Sequence, residues 1–188
     1  MKSIYIFLAR TQSIVSKIVS FFTNETYTHA AIALDEEFVF LYSSARKDGF
    51  RMFPAGPCRE YLNRGFYTLV GKTPCAVYEL KVSDEAYYRA KQEISWFMRH
   101  ENEFGFNAIG IVACKFGIPY ERKNKYFCSQ FVAEILRRSG CVELPKRNCL
   151  MRPSDYMSLP NVEKVFEGDI GELIKIKQKA MAVVPVNT

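Results

Sequence analysis

Thiol catalysis pairs a cysteine with a histidine. One cysteine and one histidine of this chain lie in sequence settings that favour such a pair. Cys128 lies in the segment 126–136, where a set of apolar residues recurs at helical spacing and defines one buried face: Phe131, Val132, Ile135 and Leu136. Cys128 is therefore expected in the first turn of a helix, where unpaired backbone N–H groups concentrate positive charge. Such a position lowers a thiol pKa below its free value of about 8.5 and favours the nucleophilic thiolate.

Histidine is scarce, since the chain has only His29 and His100. His100 ends a predicted helix over 84–100 that Ser83 caps, and a helix C-terminus favours such a residue for structural reasons. His29 instead begins the short apolar run 30–34, which an acidic turn separates from a second run over 38–42. This pattern predicts a β-hairpin with His29 at the start of its first strand. His29 is thus the better candidate partner for Cys128.

Two short motifs resemble a known family. Thr28-His29-Ala30-Ala31-Ile32-Ala33-Leu34 is similar to the [ST]-H-[VA]-x-[IV] strand of circularly permuted NlpC-type, papain-like proteins of the YiiX/YaeF-like group, which are bacterial cysteine peptidases and amidases. Phe127-Cys128-Ser129-Gln130-Phe131-Val132 resembles their helix start, C-S-x-[FL]-V. The histidine precedes the cysteine, in the reverse of the papain order, as the permutation requires. The resemblance extends over residues 1–170.

The resemblance implies a papain-like site with Cys128 as nucleophile and His29 as general base and then acid. The family's third residue orients the imidazole from the strand after the histidine, where this chain offers Tyr42, Ser43 or Ser44. Strand parity places Ser43 on the same face as His29, so Ser43 is the predicted orienting residue, although an ordinary strand-end serine is the alternative interpretation. A hydroxyl accepts the imidazole N–H but supplies no charge. The backbone N–H of Cys128 would stabilise the oxyanion, and Gln130 is interpreted as a solvated helix residue.

The order of the elements predicts an α+β fold, with a small antiparallel sheet packed against helices. We expect one permuted papain-like domain over 1–188, in which about fifteen C-terminal residues form a flexible tail. Further helices are expected over 13–22 and 107–116. Pro54 to Pro57 indicate a turn, followed by a short helical or irregular segment over 58–63, while 162–168 and 170–176 are expected as edge strands.

Composition excludes several classes of protein. With 188 residues, 48% of them hydrophobic, the chain can bury a core without metals or disulfides. Its six cysteines include no C-x-x-C pair, so neither a structural metal site, a cofactor nor a disulfide framework is expected. The N-terminal apolar run is too short for a signal peptide and no run is long enough for a membrane span, which together predict a cytoplasmic protein.

The net charge of +6 favours anionic partners, but no specific nucleic-acid motif is present. The leading interpretation is a thiol hydrolase that cleaves an amide bond, as a peptidase or amidase, through an acyl-enzyme on Cys128. The resemblance implies a peptide, cell-wall-type or N-acylated substrate. Two alternatives remain: an acyltransferase that passes the acyl group to a lipid or amine with the same Cys/His pair, as in lecithin:retinol acyltransferase-like proteins, and a catalytically decayed binding module. The oligomeric state is left open.

Overall fold

A six-stranded antiparallel sheet organises the molecule. The computed structural model describes residues 1–11, 25–46, 55–62, 67 and 72–183. The strands of the sheet are β1 (Lys2–Ala9), β2 (His29–Ala33), β3 (Leu41–Arg46), β4 (Ala55–Glu60), β5 (Pro74–Val82) and β8 (Val162–Asp169), and they lie in the order β4-β3-β2-β1-β5-β8. Two short strands, β6 (Gly105–Phe106) and β7 (Lys125–Tyr126), form a separate parallel pair. The predicted hairpin of β2 and β3 is confirmed.

The described residues form four helices: α1 (Asp84–Arg99), α2 (Ala108–Lys115), α3 (Cys128–Ser139) and α4 (Ile170–Val183). Three 3-10 segments, 101–103, 148–150 and 153–158, lie between them. Local sequence explains the helix ends. Ser83 accepts a hydrogen bond from the Ala86 N–H at the start of α1, Asn107 does the same for Gly110 at α2, and Gly140 ends α3 with a φ of 66°.

The core has two parts, one on each face of the sheet. Helices α1 and α3 cover the first face, where Phe97 and Phe131 pack against the even-numbered side chains of β1. Helix α4 covers the second face through Ile170 and Leu173. The α+β prediction, an antiparallel sheet packed against helices, is confirmed. No helix of the described residues has the length and apolar character needed to cross a bilayer.

Two segments differ from the sequence prediction. Residues 55–60, expected as a turn and then a helical or irregular segment, form strand β4, because β3 supplies a full set of backbone partners from Leu41↔Glu60 to Arg46↔Ala55. Residues 170–176 belong to α4 rather than to an edge strand, since Ile170, Leu173 and Ile174 pack into the core at helical spacing. Helix α4 continues to Val183. The helix predicted over 13–22 lies outside the described residues.

Candidate active site

Cys128 is the first residue of α3, as the sequence predicts. Its thiol is half-buried and contacts the backbone N–H groups of Ala30 and Ser129. Burial alone would raise the pKa of the Cys128 thiol. The hydrogen bond with His29, the charge on His29 and the two backbone N–H groups outweigh that effect and lower it. Cys128 therefore favours the thiolate form.

Cys128 begins the helix that packs on β2 and β3. Helix α3 packs against both strands, and these two strands are in register at one pair of the described residues, Ile32↔Tyr42. Near His29 the strands do not complete a ladder, so the N–H of Ala30 is free to point at Cys128. The sheet thus supplies one of the donors that stabilise the thiolate.

His29 is buried at the first position of β2. Its Nε2 lies 3.0 Å from Oε2 of Glu60, and the ring also hydrogen-bonds to Cys128. The imidazole thus lies between the Glu60 carboxylate and the Cys128 thiol. Burial alone would lower the pKa of His29, but the charge of Glu60 and the hydrogen bonds with Cys128 and Glu60 raise it to about 10. The imidazole is therefore held as an imidazolium between two acidic groups.

Glu60, the last residue of β4, is the acid that the sequence analysis missed. Its neighbour in the sheet is Leu41, and side-chain alternation through β3 and β2 places Glu60 on the same sheet face as His29. The Tyr67 hydroxyl donates to the same Oε2 at 2.6 Å. Burial opposes the charge of Glu60, yet the charge of His29 and the hydrogen bonds from His29 and Tyr67 hold its pKa below the usual value.

Ser43, the predicted orienting residue, does not bind His29. Strand parity did place Ser43 on the correct face, but its Oγ donates to the carbonyl of Ala30 at 2.8 Å and the side chain is completely buried. The other two candidates are also engaged elsewhere. Ser44 donates to the Tyr126 carbonyl at 2.7 Å, and Tyr42 lies on the opposite face in register with Ile32. The hydroxyls of this strand fix backbone groups around the site, and the carboxylate comes from the next strand.

The first turn of α3 is held from several sides. The Ser129 hydroxyl donates to the carbonyl of Met151 at 2.7 Å, and the Ser129 carbonyl accepts from the Tyr156 hydroxyl at 2.5 Å. Gln130 is buried and accepts from Nδ2 of Asn107 at 3.3 Å, so its interpretation as a solvated residue is wrong. The sequence conceals this contact because the partner, Asn107, is 23 residues away along the chain. These bonds fix the direction in which α3 presents its N-terminus.

The remaining histidine and several cysteines behave as structural residues. His100 lies at the end of α1, and its Nδ1 is 2.8 Å from the Trp96 carbonyl oxygen, which confirms the predicted helix-end position. Burial raises the pKa of four other thiols: Cys75 to about 12, Cys149 to about 11, and also Cys114 and Cys141. The pKa of the Cys128 thiol is instead lowered, because its neighbours stabilise the charged form.

Comparison with known proteins shows the fold. No family model matches the chain, and no curated protein matches it either. Among solved structures, the chain is similar to YiiX from Escherichia coli O157:H7, with a TM-score of 0.56 and 11% sequence identity over 88% of this chain and 97% of that one. The shared fold agrees with the YiiX/YaeF-like resemblance of the two motifs.

YiiX is described as a metalloprotein. In the part of this chain that the structure describes, no group of three or more His, Cys, Asp or Glu side chains is placed to hold a metal ion. Nε2 of His29 is engaged by the Glu60 carboxylate at 3.0 Å. The residues of the candidate active site therefore do not fit a metal centre.

Proposed function

We propose that the protein is a thiol hydrolase that cleaves an amide bond through an acyl-enzyme on Cys128. The arrangement of Cys128, His29 and Glu60 supports this proposal best, because it joins a thiolate, an imidazolium and a buried carboxylate in one chain of hydrogen bonds. The shared fold with YiiX is compatible with it. A peptide or N-acylated compound is the substrate class that the family resemblance implies.

In the first half of the reaction, the Cys128 thiolate attacks the amide carbonyl carbon and the C=O π electrons move to the oxygen. The backbone N–H of Cys128, at the helix start, is the donor we assign to that oxyanion. When the intermediate collapses, the C–N bond breaks and the imidazolium of His29 gives its proton to the departing nitrogen. The products of this half are a free amine and a thioester on Cys128.

In the second half, neutral His29 takes a proton from water while the water oxygen attacks the thioester carbonyl carbon. Collapse of this intermediate breaks the C–S bond, releases the carboxylic acid and restores the thiolate beside an imidazolium. Glu60 remains ionised throughout, and its contact with Nε2 holds the imidazole ring in position. Glu60 is therefore a positioning residue in this scheme.

Glu60 also bears on the alternative of a decayed binding module. That interpretation depended on the weak third residue of the sequence, a serine hydroxyl. A buried carboxylate at 3.0 Å from the imidazole supplies the charge that a hydroxyl lacks. The observed partners favour a working enzyme over a module that has lost its site.

The test is the alkylation of cysteines by iodoacetamide at pH 7, followed by peptide mapping with mass spectrometry. We expect Cys128 to react faster than the five other cysteines, and His29→Ala to slow its labelling by about ten- to a hundredfold, since the thiolate loses its counter-charge. His100→Ala is the matched control and should leave the rate unchanged. Labelling of Cys128 at the rate of the buried thiols would contradict the proposal.

Hydrolysis itself can be measured with a panel of peptide and N-acyl amide substrates, with released amine as the readout. Cys128→Ser should abolish turnover, while Cys141→Ser, at a half-buried thiol that contacts Ser139, should retain it. Equal turnover by wild type and Cys128→Ser would show that any observed activity does not use this thiol.

A further inference from the structure

Helix α2 exposes apolar side chains that the core does not use. Asn107, Gly110 and Cys114 form its buried side, at positions that repeat every three or four residues. A second apolar set lies on α2 and just after its end and is exposed to solvent; we call it the α2 face. The exposed fractions are 54% for Ile109, 51% for Val112, 67% for Phe116 and 56% for Ile118. Large apolar residues grouped in this way on a surface indicate a site of interaction.

Positive charge lies at both ends of the α2 face. Lys115 is in the last turn of α2, with Nζ 5.1 Å from the centre of the Phe116 ring. At the other end, Gly105 pairs with Lys125 in parallel strands. This pairing brings the basic turn 122–125 close to the start of α2. In the segment from β6 through α2 to β7, residues 105–126, four residues are basic and one, Glu121, is acidic. An apolar stripe bordered by cations is complementary to the surface of an anionic bilayer.

Helix α2 is joined to the first turn of α3 on its buried side, not through the α2 face. There Asn107, the N-cap of α2, donates to Gln130, which is two residues from Cys128. We propose that the α2 face seats the protein on an anionic lipid surface, with Ile109, Val112, Phe116 and Ile118 in the acyl boundary and the basic residues at the headgroups. Membrane binding of this kind does not depend on hydrolysis by Cys128.

The test is co-sedimentation of the full chain with sucrose-loaded vesicles. Phosphatidylcholine vesicles with 30% phosphatidylglycerol should bind the protein, and pure phosphatidylcholine vesicles should bind it much more weakly. The double variant Ile109→Ser/Phe116→Ser should lower the partition coefficient by about a hundredfold, because two large apolar side chains no longer enter the lipid. The matched control is Val165→Ser/Ile176→Ser, which changes two exposed apolar residues elsewhere, 47% and 52% exposed, and should bind as wild type does.

A second variant separates charge from apolar contact. Arg122→Gln/Lys123→Gln should reduce binding by about fivefold per residue at low salt, and the difference from wild type should shrink in 0.5 M salt. Equal binding to both vesicle types, or equal loss in the control pair, would overturn the proposal. So would concentration-dependent dimerisation in sedimentation velocity that Ile109→Ser/Phe116→Ser abolishes, because a second copy would then be the occupant of the α2 face.

Discussion

Replacing Glu60 with Gln tests the arrangement of the candidate active site most directly. The substitution keeps the size of the side chain and an oxygen that can accept from Nε2, but removes the charge that faces His29 at 3.0 Å. A hydrogen bond to a charged partner contributes about 1.5–3 kcal/mol, which corresponds to about one to two pKa units. The pKa of His29, raised to about 10 in the wild type, should fall by that amount in Glu60→Gln.

The assay is a pH titration of the imidazole resonances by NMR. With two histidines in the chain, the two titrations can be assigned from His29→Ala alone, and His100 provides an internal reference in every sample. Burial of His29 makes its shift sensitive to the neighbouring carboxylate and insensitive to salt. The expected result is a downward shift for His29 and none for His100.

Ser43→Ala is the matched control, because Ser43 is the residue that the sequence placed next to the imidazole. Its hydroxyl binds the Ala30 carbonyl, so its removal should leave the His29 titration within about 0.3 unit of wild type. The reasoning is refuted if Glu60→Gln leaves His29 unshifted, or if Ser43→Ala moves it as far as Glu60→Gln does.

Three further predictions concern stability, measured by urea denaturation. Tyr67→Phe removes the 2.6 Å hydrogen bond to Glu60 and should cost about 1.5–3 kcal/mol; a loss under about 0.5 kcal/mol would mean that this bond contributes little. Gly140→Ala forces a side chain to a φ of 66° and should cost about 1–2 kcal/mol, more than Gly105→Ala, whose nearest neighbour would be at 3.7 Å. The folded pKa of Glu60 is lowered, so its contribution is present above its unfolded value and is lost as the pH falls through the folded pKa. Wild type should therefore lose more stability than Glu60→Gln between about pH 5 and pH 3, and parallel curves would argue against an ionised Glu60.

Cys128 and His29, the two candidate catalytic residues, could be found from sequence because their signals are local. The apolar spacing after Cys128 determines which residue begins α3, and the apolar run after His29 determines where β2 begins. Ser83, Asn107 and Gly140 likewise act within one turn of the helix ends that they define. Patterns of this kind can be recognised in a window of several residues, so their recognition does not require knowledge of the tertiary fold.

Glu60 could not be found in the same way, because it lies on strand β4, whose sequence does not have the pattern of a strand. Pro57 and Gly56 disfavour a strand by propensity, yet β4 lies at the edge of the sheet, where a proline leaves no partner unsatisfied. Gly56 is also required by packing, since a Cβ there would lie 3.0 Å from the Phe104 carbonyl oxygen. Pro57 and Gly56, which conceal β4 in the sequence, are thus the residues that let β4 pack at the edge of the sheet. This packing places Glu60 next to His29. In a site built across neighbouring strands, the third residue is better sought among the carboxylates of the next edge strand than among the nearest hydroxyls in sequence.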